Sequence, residues 1–320
     1  FLHRSKSFGG FSFEELFKTI KDHLTDCEVV EYYDKTVPSF WKNVKAIKKL
    51  DCDVIHSTGG IGYYALFLPT NKTTLTVHDT NHYEFDLKGL KKWLYGWLIY
   101  RLPIKNVKYV TVVSQHTKNN LMRYFNVPEQ KIKVIHNCYP ASFIQAKEHQ
   151  TSDLFNILQI GTKANKNIER LASAIEGENV ELTIVGKMNN ALKANLESKN
   201  INYINKYNLS REKIYQEYVR TNLVAFVSLR EGFGMPIIEA NSIGRPVISS
   251  NISSMPEVAK DAALLVDPTN VEQIKQGILK LMHDKELCKS LVEKGIKNAQ
   301  RFHPSEIAKQ YRNLYTQISE

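Results

Sequence analysis

Short apolar runs alternate with amphipathic stretches along the whole chain. In the second half, residues 154–161, 181–186, 223–227, 246–249 and 263–266 are apolar runs of strand length. Between them, residues 168–175, 191–197 and 211–221, and stretches beginning at Asn270 and Asp284, carry apolar positions three and four apart and predict helices. The first half repeats this alternation. Strands are expected at 1–3, 27–32, 54–57, 74–79, 108–113 and 133–136, with helices after Ser12 and over 115–125 and a short helical stretch at 63–68. Ser12 with Glu15 forms a capping box, and Ser114 and Ser210 are placed as further N-caps. Two successive runs of strand–helix units predict two doubly wound α/β domains. The polar stretch 145–153 reads as a linker and Pro304 as a helix break. The expected boundaries are therefore 1–148, 149–304 and a terminal helix over 305–320.

With 320 residues the chain is long enough for two cores, and 42% hydrophobic with 24% charged residues is ordinary for a soluble globular protein. Its charge of +10 is uneven: residues 1–150 hold 21 Lys/Arg against 14 Asp/Glu, and residues 151–320 hold 22 against 19. That excess suits anionic substrates or an anionic membrane surface. It would also fit nucleic acid, but no helix-turn-helix, finger or aromatic-basic sheet signature supports that, and no nucleic-acid partner is expected. Cys27, Cys52, Cys138 and Cys288 are widely spaced and read as small buried apolar groups of a reducing compartment. No apolar run approaches bilayer-spanning length and no signal peptide is visible. A few residues are expected before Phe1, because a buried first strand is normally longer.

Candidate chemistry collects where predicted strands end. After the run 223–227 comes Glu231-Gly-Phe-Gly-Met-Pro-Ile-Ile-Glu239, with Pro236 in the first turn of a helix. Free amides of that turn would suit phosphate, and the two acids could reach two parts of one extended ligand. A tight turn with a surface acid on each side fits the same residues. Gly9-Gly10 allows close backbone approach or makes an ordinary turn. His78 ends a strand, where ligands of parallel sheets collect, and Asp79 either orients its ring or caps the next loop. Lys163 and Lys166 follow another strand end and suit phosphate oxygens, or are solvated loop lysines. Residues 88–101 mix Lys88, Lys91, Lys92 and Arg101 with Trp93, Tyr95, Trp97 and Tyr100. They fit a membrane interface or a surface helix docked on its own domain. Asp51-Cys52-Asp53 is formally D-x-D, but Asp53 leads straight into a strand, so no metal is expected.

These motifs, in this order, resemble the retaining glycosyltransferases of family 4. The strongest element is Glu231 to Glu239, the family's E-x7-E. Gly9-Gly10, Thr76-Val-His78-Asp79, Val112-Val113-Ser114, Val134-Ile-His-Asn137, Gly161 through Lys166-Asn167, Gly244-Arg-Pro246-Val and Met255-Pro-Glu257-Val support it. Two departures stand out. Only Thr162 and Lys163 occupy the place of an arginine often found before the lysine matched by Lys166, and Cys138 replaces a glycine. The resemblance implies the GT-B architecture, two facing Rossmann-like domains with a cleft between them. It further implies transfer of a sugar from a UDP- or GDP-sugar donor to a glycan or lipid-linked acceptor, with retained configuration and no metal. The setting would be bacterial surface or secreted glycan synthesis, in the cytoplasm or peripherally at the inner face of the plasma membrane. His78, Lys166 and Glu231 are the implied catalytic residues; Gly10, Lys163, Lys166, Phe233, Gly234 and Glu239 are the implied donor-binding ones. Glu231 would contact the sugar, Glu239 the ribose and Lys166 the diphosphate. A same-fold epimerase or hydrolase is the enzymatic alternative, and a non-catalytic sugar-nucleotide-binding protein the other.

Overall fold

A computed structural model describes residues 1–4, 12–34, 39–146 and 154–320. The chain forms two compact units, Phe1–Cys138 with Pro304–Glu320, and Tyr139–His303. The division at Cys138/Tyr139 precedes the polar linker because Phe143 already packs on Tyr215 and Tyr218 of the second unit.

The first unit has a six-stranded parallel sheet in the order β2-β1-β3-β4-β5-β6. Its strands are β1 (Leu2–His3), β2 (Tyr32–Tyr33), β3 (Ile55–Ser57), β4 (Thr73–Val77), β5 (Tyr109–Val112) and β6 (Ile132–Val134). β2 is shorter and later than the expected 27–32. The helix Phe40–Lys49, absent from the sequence reading, lies between β2 and β3 and buries Val44 and Ile47. The terminal helix Pro304–Ser319 lays Ile307, Tyr311 and Leu314 against Leu16, Phe17 and Ile20 of the helix Ser12–Lys21. The second unit carries β7 (Phe155–Ile160), β8 (Val180–Val185), β9 (Tyr203–Lys206), β10 (Leu223–Phe226), β11 (Val247–Ser250) and β12 (Leu264–Val266). Its order is β12-β11-β10-β7-β8-β9, all parallel. Such a sheet is covered on both faces, which explains strands apolar throughout. Helices Ile168–Ile175 and Val271–His283 supply Leu171, Ile274 and Ile278 to a core with Ile157, Leu182, Ala225 and Ile248.

In both sheets the chain reverses its direction of growth once, between β1 and β3 and between β7 and β10. A doubly wound sheet opens a crevice at the carboxyl ends of the strands at such a point. A cavity of about 440 Å³ in the first unit, lined by Phe1, Val30, Cys52, Val54 and Tyr315, instead opens beside residues that precede the strands.

Three histidines of the first unit are buried: His3, His56 and His78. Burial pulls His3 and His78 down to about 4 and holds His56 well below 6.5. The unfolded chain binds protons that the folded chain refuses, so this stability is complete above pH 6.5 and is lost as pH falls toward 4. The loss amounts to about 3 kcal/mol for each histidine lowered to that extent. Melting followed by circular dichroism should show a midpoint falling across that window; a flat midpoint would contradict the neutral histidine core.

Candidate active site

The second unit's reversal point is built from the loops after β7 and β10. After β7 the chain makes a single 3-10 turn, Ala164–Lys166, and Asn167 ends it in the left-handed region at φ +60°. Buried Asn167 donates its amide to the carbonyls of Val227 (3.0 Å) and Pro268 (2.7 Å), tying this loop to the end of β10. The Leu229 amide donates to the Asn165 carbonyl at 2.8 Å, a second tie. With the loops locked, Lys166 Nζ lies 2.7 Å from Glu231 Oε1. Asn165 Nδ2 donates to the same carboxylate oxygen at 3.0 Å and to the Arg230 carbonyl at 3.0 Å. The lysine stem lies over Gly161, where any Cβ would come within 2.9 Å of Lys166 Cε. Its ammonium also sits 4.8 Å from the Phe226 ring centroid, a cation–π contact. Both partners of the ion pair are mostly buried, with side chains 17% and 15% exposed.

The Glu231 backbone is fixed from a third loop. Ser253, in the left-handed region, donates to the Glu231 carbonyl (2.7 Å) and accepts from its amide (3.2 Å). Ser254 Oγ reaches the Glu231 and Phe233 carbonyls at 3.0 and 2.7 Å. Asn165, Ser253 and Ser254 were not assigned roles from sequence. Their signal was adjacency to Lys166 and to Met255-Pro-Glu257-Val, but the contacts are tertiary.

Gly234, at φ +122°, leads into the helix Met235–Ile243, whose first turn has no side-chain cap. That helix is apolar on nearly all sides and almost wholly buried, as such helices must be. Met235 and Glu239 are its half-buried exceptions. Glu239 Oε2 accepts a 2.6 Å hydrogen bond from Tyr218 Oη. Tyr218 is fully buried; burial, and then the Glu239 carboxylate, push its phenol well above 10, so it stays a donor. The Phe233 ring is 4% exposed and packs edge-on against Phe302 at 5.6 Å. The ring is a core group, and the Phe233 carbonyl accepts from Ser254. Lys163 is exposed, before the turn that carries Lys166.

His78 belongs to the first unit and lies beside its reversal point, against the loop that follows β3. It follows β4, is 9% exposed and stacks on Phe13 at 3.8 Å and 14°. Nε2 lies 2.7 Å from the Thr58 carbonyl, which can only accept, so the proton sits on Nε2. Nδ1 is then a lone pair, buried and without a partner among the described residues. The ring touches the Gly59 backbone so closely that a Cβ there would lie 2.7 Å from His78 Cδ2. Asp79 does not orient this ring; its Oδ1 accepts from the Asn81 amide at 2.9 Å and caps the following turn. Arg4 after β1 pairs with Glu14 at 2.7 Å, a contact not anticipated. Gly9-Gly10 lies outside the described residues, and with it the expected role of Gly10. Asp51 and Asp53 are exposed, and among the described residues no group of three or more His, Cys, Asp or Glu is placed to hold a metal.

Two family models divide the chain between them. Glycosyltransferase Family 4 matches residues 20–143, and Glycosyl transferases group 1 matches residues 143–298. The chain belongs to the family 4 glycosyltransferases. This transferase is 28% identical over 268 residues to the O-antigen chain mannosyltransferase RfbU of Salmonella typhimurium, a match covering 76% of this chain and 71% of that protein. It is 37% identical over 98 residues to the O-antigen chain mannosyltransferase B of Escherichia coli, 31% of this chain and 26% of that protein. Its fold matches sucrose-phosphate synthase from Thermosynechococcus elongatus with a TM-score of 0.80 at 17% identity, covering 99% and 98% of the two chains. The transferase therefore has the GT-B fold, with two Rossmann-like halves.

Proposed function

We propose that this transferase moves a mannosyl group from a nucleoside-diphosphate donor to a hydroxyl of a growing bacterial surface glycan, with retention and without a metal. The observation that carries the donor reading is the Lys166–Glu231 pair at the reversal point, beside the start of the Met235–Ile243 helix. An ammonium and the amides of a helix start meet the charge of a diphosphate. Mannose is supported by the names of the two O-antigen relatives; a lipid-carried acceptor at the cytoplasmic membrane face rests on the family resemblance of the sequence alone.

On this reading Lys166 donates one proton to Glu231 and keeps two for phosphate oxygens. Glu231, pinned by Asn165 and Ser253, has its second oxygen for donor-sugar hydroxyls. The bond between the sugar's anomeric carbon and the leaving phosphate oxygen breaks, and the acceptor oxygen bonds that carbon from the same face. The acceptor proton passes to the leaving phosphate, so no covalent intermediate on Glu231 is needed. His78 serves the acceptor side as a neutral imidazole. Glu239 accepts from the ribose and Tyr218 positions it.

Glu239→Gln should weaken binding of the sugar-free nucleoside diphosphate by roughly tenfold or more, the scale of a hydrogen bond to a charged group. Tyr218→Phe should weaken it less and leave turnover at saturation near the parent value. Calorimetry with the nucleotide, alongside initial rates, reads both. Parental nucleotide affinity in a folded Glu239→Gln variant would end the ribose assignment.

A further inference from the structure

We propose that the first unit carries a docking face for an anionic lipid bilayer, made by the outward side of residues 88–105 and joined by the helix Phe40–Lys49. The helix Gly89–Tyr95 continues into the π-helical segment Gly96–Arg101. Its inner side is fully used. Tyr100 stacks on Phe125 at 4.7 Å, and a Cβ at Gly96 would lie 2.6 Å from the Tyr83 ring, so backbone meets ring there. An ordinary surface helix would be polar on the opposite side. Here that side reads Leu90, Trp93, Leu94, Trp97 and Leu98, spaced three and four apart. Exposure runs from 78% at Leu90 and 62% at Trp93 to 38% at Leu98. The Trp93 and Trp97 rings lie parallel, 6.2 Å apart and within 5°. Core packing therefore accounts for Tyr95, Tyr100 and half-buried Lys92, whose ammonium donates to the Glu84 carbonyl at 3.1 Å, but not for this stripe.

Within the segment that carries the stripe the charge has one sign. Between Lys88 and Lys105 there is no acidic residue, and Lys88, Lys91, Arg101 and Lys105 are exposed. The helix Phe40–Lys49 repeats the composition, with Trp41 61% exposed and Lys42, Lys45, Lys48 and Lys49 exposed. The Gly62–Phe67 turn links the two segments: Phe67 meets Trp41 edge-on at 4.9 Å, and a Cβ at Gly62 would lie 3.8 Å from the Ile99 carbonyl. All three tryptophans of the chain thus stand exposed on connected elements. Indole and leucine side chains partition into the headgroup boundary while lysines meet anionic headgroups. A second copy of this chain would instead set the same cations against each other. No helix among the described residues is long and apolar enough to cross a membrane. The proposal deepens the lipid-carried acceptor reading, and its test needs neither donor nor turnover, so either can fail alone.

The test is co-sedimentation with phosphatidylcholine vesicles containing phosphatidylglycerol, against phosphatidylcholine alone, with tryptophan emission followed in parallel. The parent should bind the anionic vesicles, release them as salt rises, and shift its emission to the blue. Trp93→Ser with Trp97→Ser should bind about tenfold more weakly or worse while its circular dichroism and melting match the parent. Lys91→Glu with Lys105→Glu should lose at least about tenfold at low salt and far less at high salt, since salt screens the attraction of surface lysines to anionic headgroups. A parent that ignores anionic vesicles, or a folded tryptophan variant that binds like the parent, overturns the proposal. So does a vesicle-free parent dimer that the tryptophan changes dissolve, since a second copy would then cover the stripe.

Discussion

Lys166→Ala is expected to lower sugar transfer by roughly 10²–10³-fold, the cost of removing one preorganised donor from developing charge. The lysine is built in from several sides: Gly161 lies under its stem, Phe226 under its ammonium, and Glu231 at 2.7 Å holds its direction. It is therefore pointed before any ligand arrives, and its charge counts for more as the leaving diphosphate gains negative charge. Both donor affinity and turnover should fall. Glu231 keeps its 3.0 Å bond from Asn165 in that variant, so the loop should hold its shape. Glu231→Gln keeps size and should weaken the nucleotide sugar while sparing the sugar-free nucleotide. Arginine is a poor replacement at 166, because its larger planar head must fit where the lysine stem now lies flat. Calorimetry and initial rates on the three variants separate these effects; a folded Lys166→Ala with parental rate would remove Lys166 from the chemistry.

His78→Ala should reduce transfer by roughly 10²-fold, the lower range for a positioned acid–base or polar group, with nucleoside-diphosphate affinity preserved. The ring is also structural to a degree. Losing its bond to the Thr58 carbonyl leaves a buried acceptor unmet and removes the Phe13 stack, together about 1–3 kcal/mol of stability. A melting curve must accompany every rate. The pH profile adds a readout that stability alone does not move. Because burial keeps His78 neutral down to about 4, it should contribute no titration limb near 6.5 to the parent rate profile. An acid limb at 6.5 that vanishes in His78→Ala would mean the imidazole titrates as an exposed one.

Much of the fold could be read from alternation, because both sheets are parallel and covered, and a covered strand is a plain apolar run. Ser114 and Ser210 do cap their helices, accepting from the Thr117 and Lys213 amides at 3.1 and 3.3 Å. The helix Phe40–Lys49 has little signature in the sequence, because its lysines mask an apolar stripe of only Phe40, Val44 and Ile47. Val29 and Val30 pull the expected β2 forward because they look like strand residues, yet only Tyr32 and Tyr33 pair with β1. At the site, glutamates and lysines announce themselves at strand ends, but their partners do not. Nothing local says that Asn165 will reach Glu231, that Tyr218 will donate to Glu239, or that Phe233 turns inward onto Phe302. The first follows from how two loops meet across a sheet reversal, the second from two helices packed side by side, and the third from a turn more than sixty residues later in the chain.

The central claim is transfer from a nucleoside-diphosphate sugar, and product analysis tests it most directly. The protein is incubated with a panel of nucleotide sugars and a membrane glycolipid extract. Products are then weighed by mass spectrometry, and the new linkage is examined by nuclear magnetic resonance. The account predicts one donor consumed, an acceptor heavier by one hexose, an anomeric configuration matching the donor, and unchanged yield with a chelator present. Release of free sugar alone, an inverted linkage, or tight nucleotide-sugar binding with no product would contradict it.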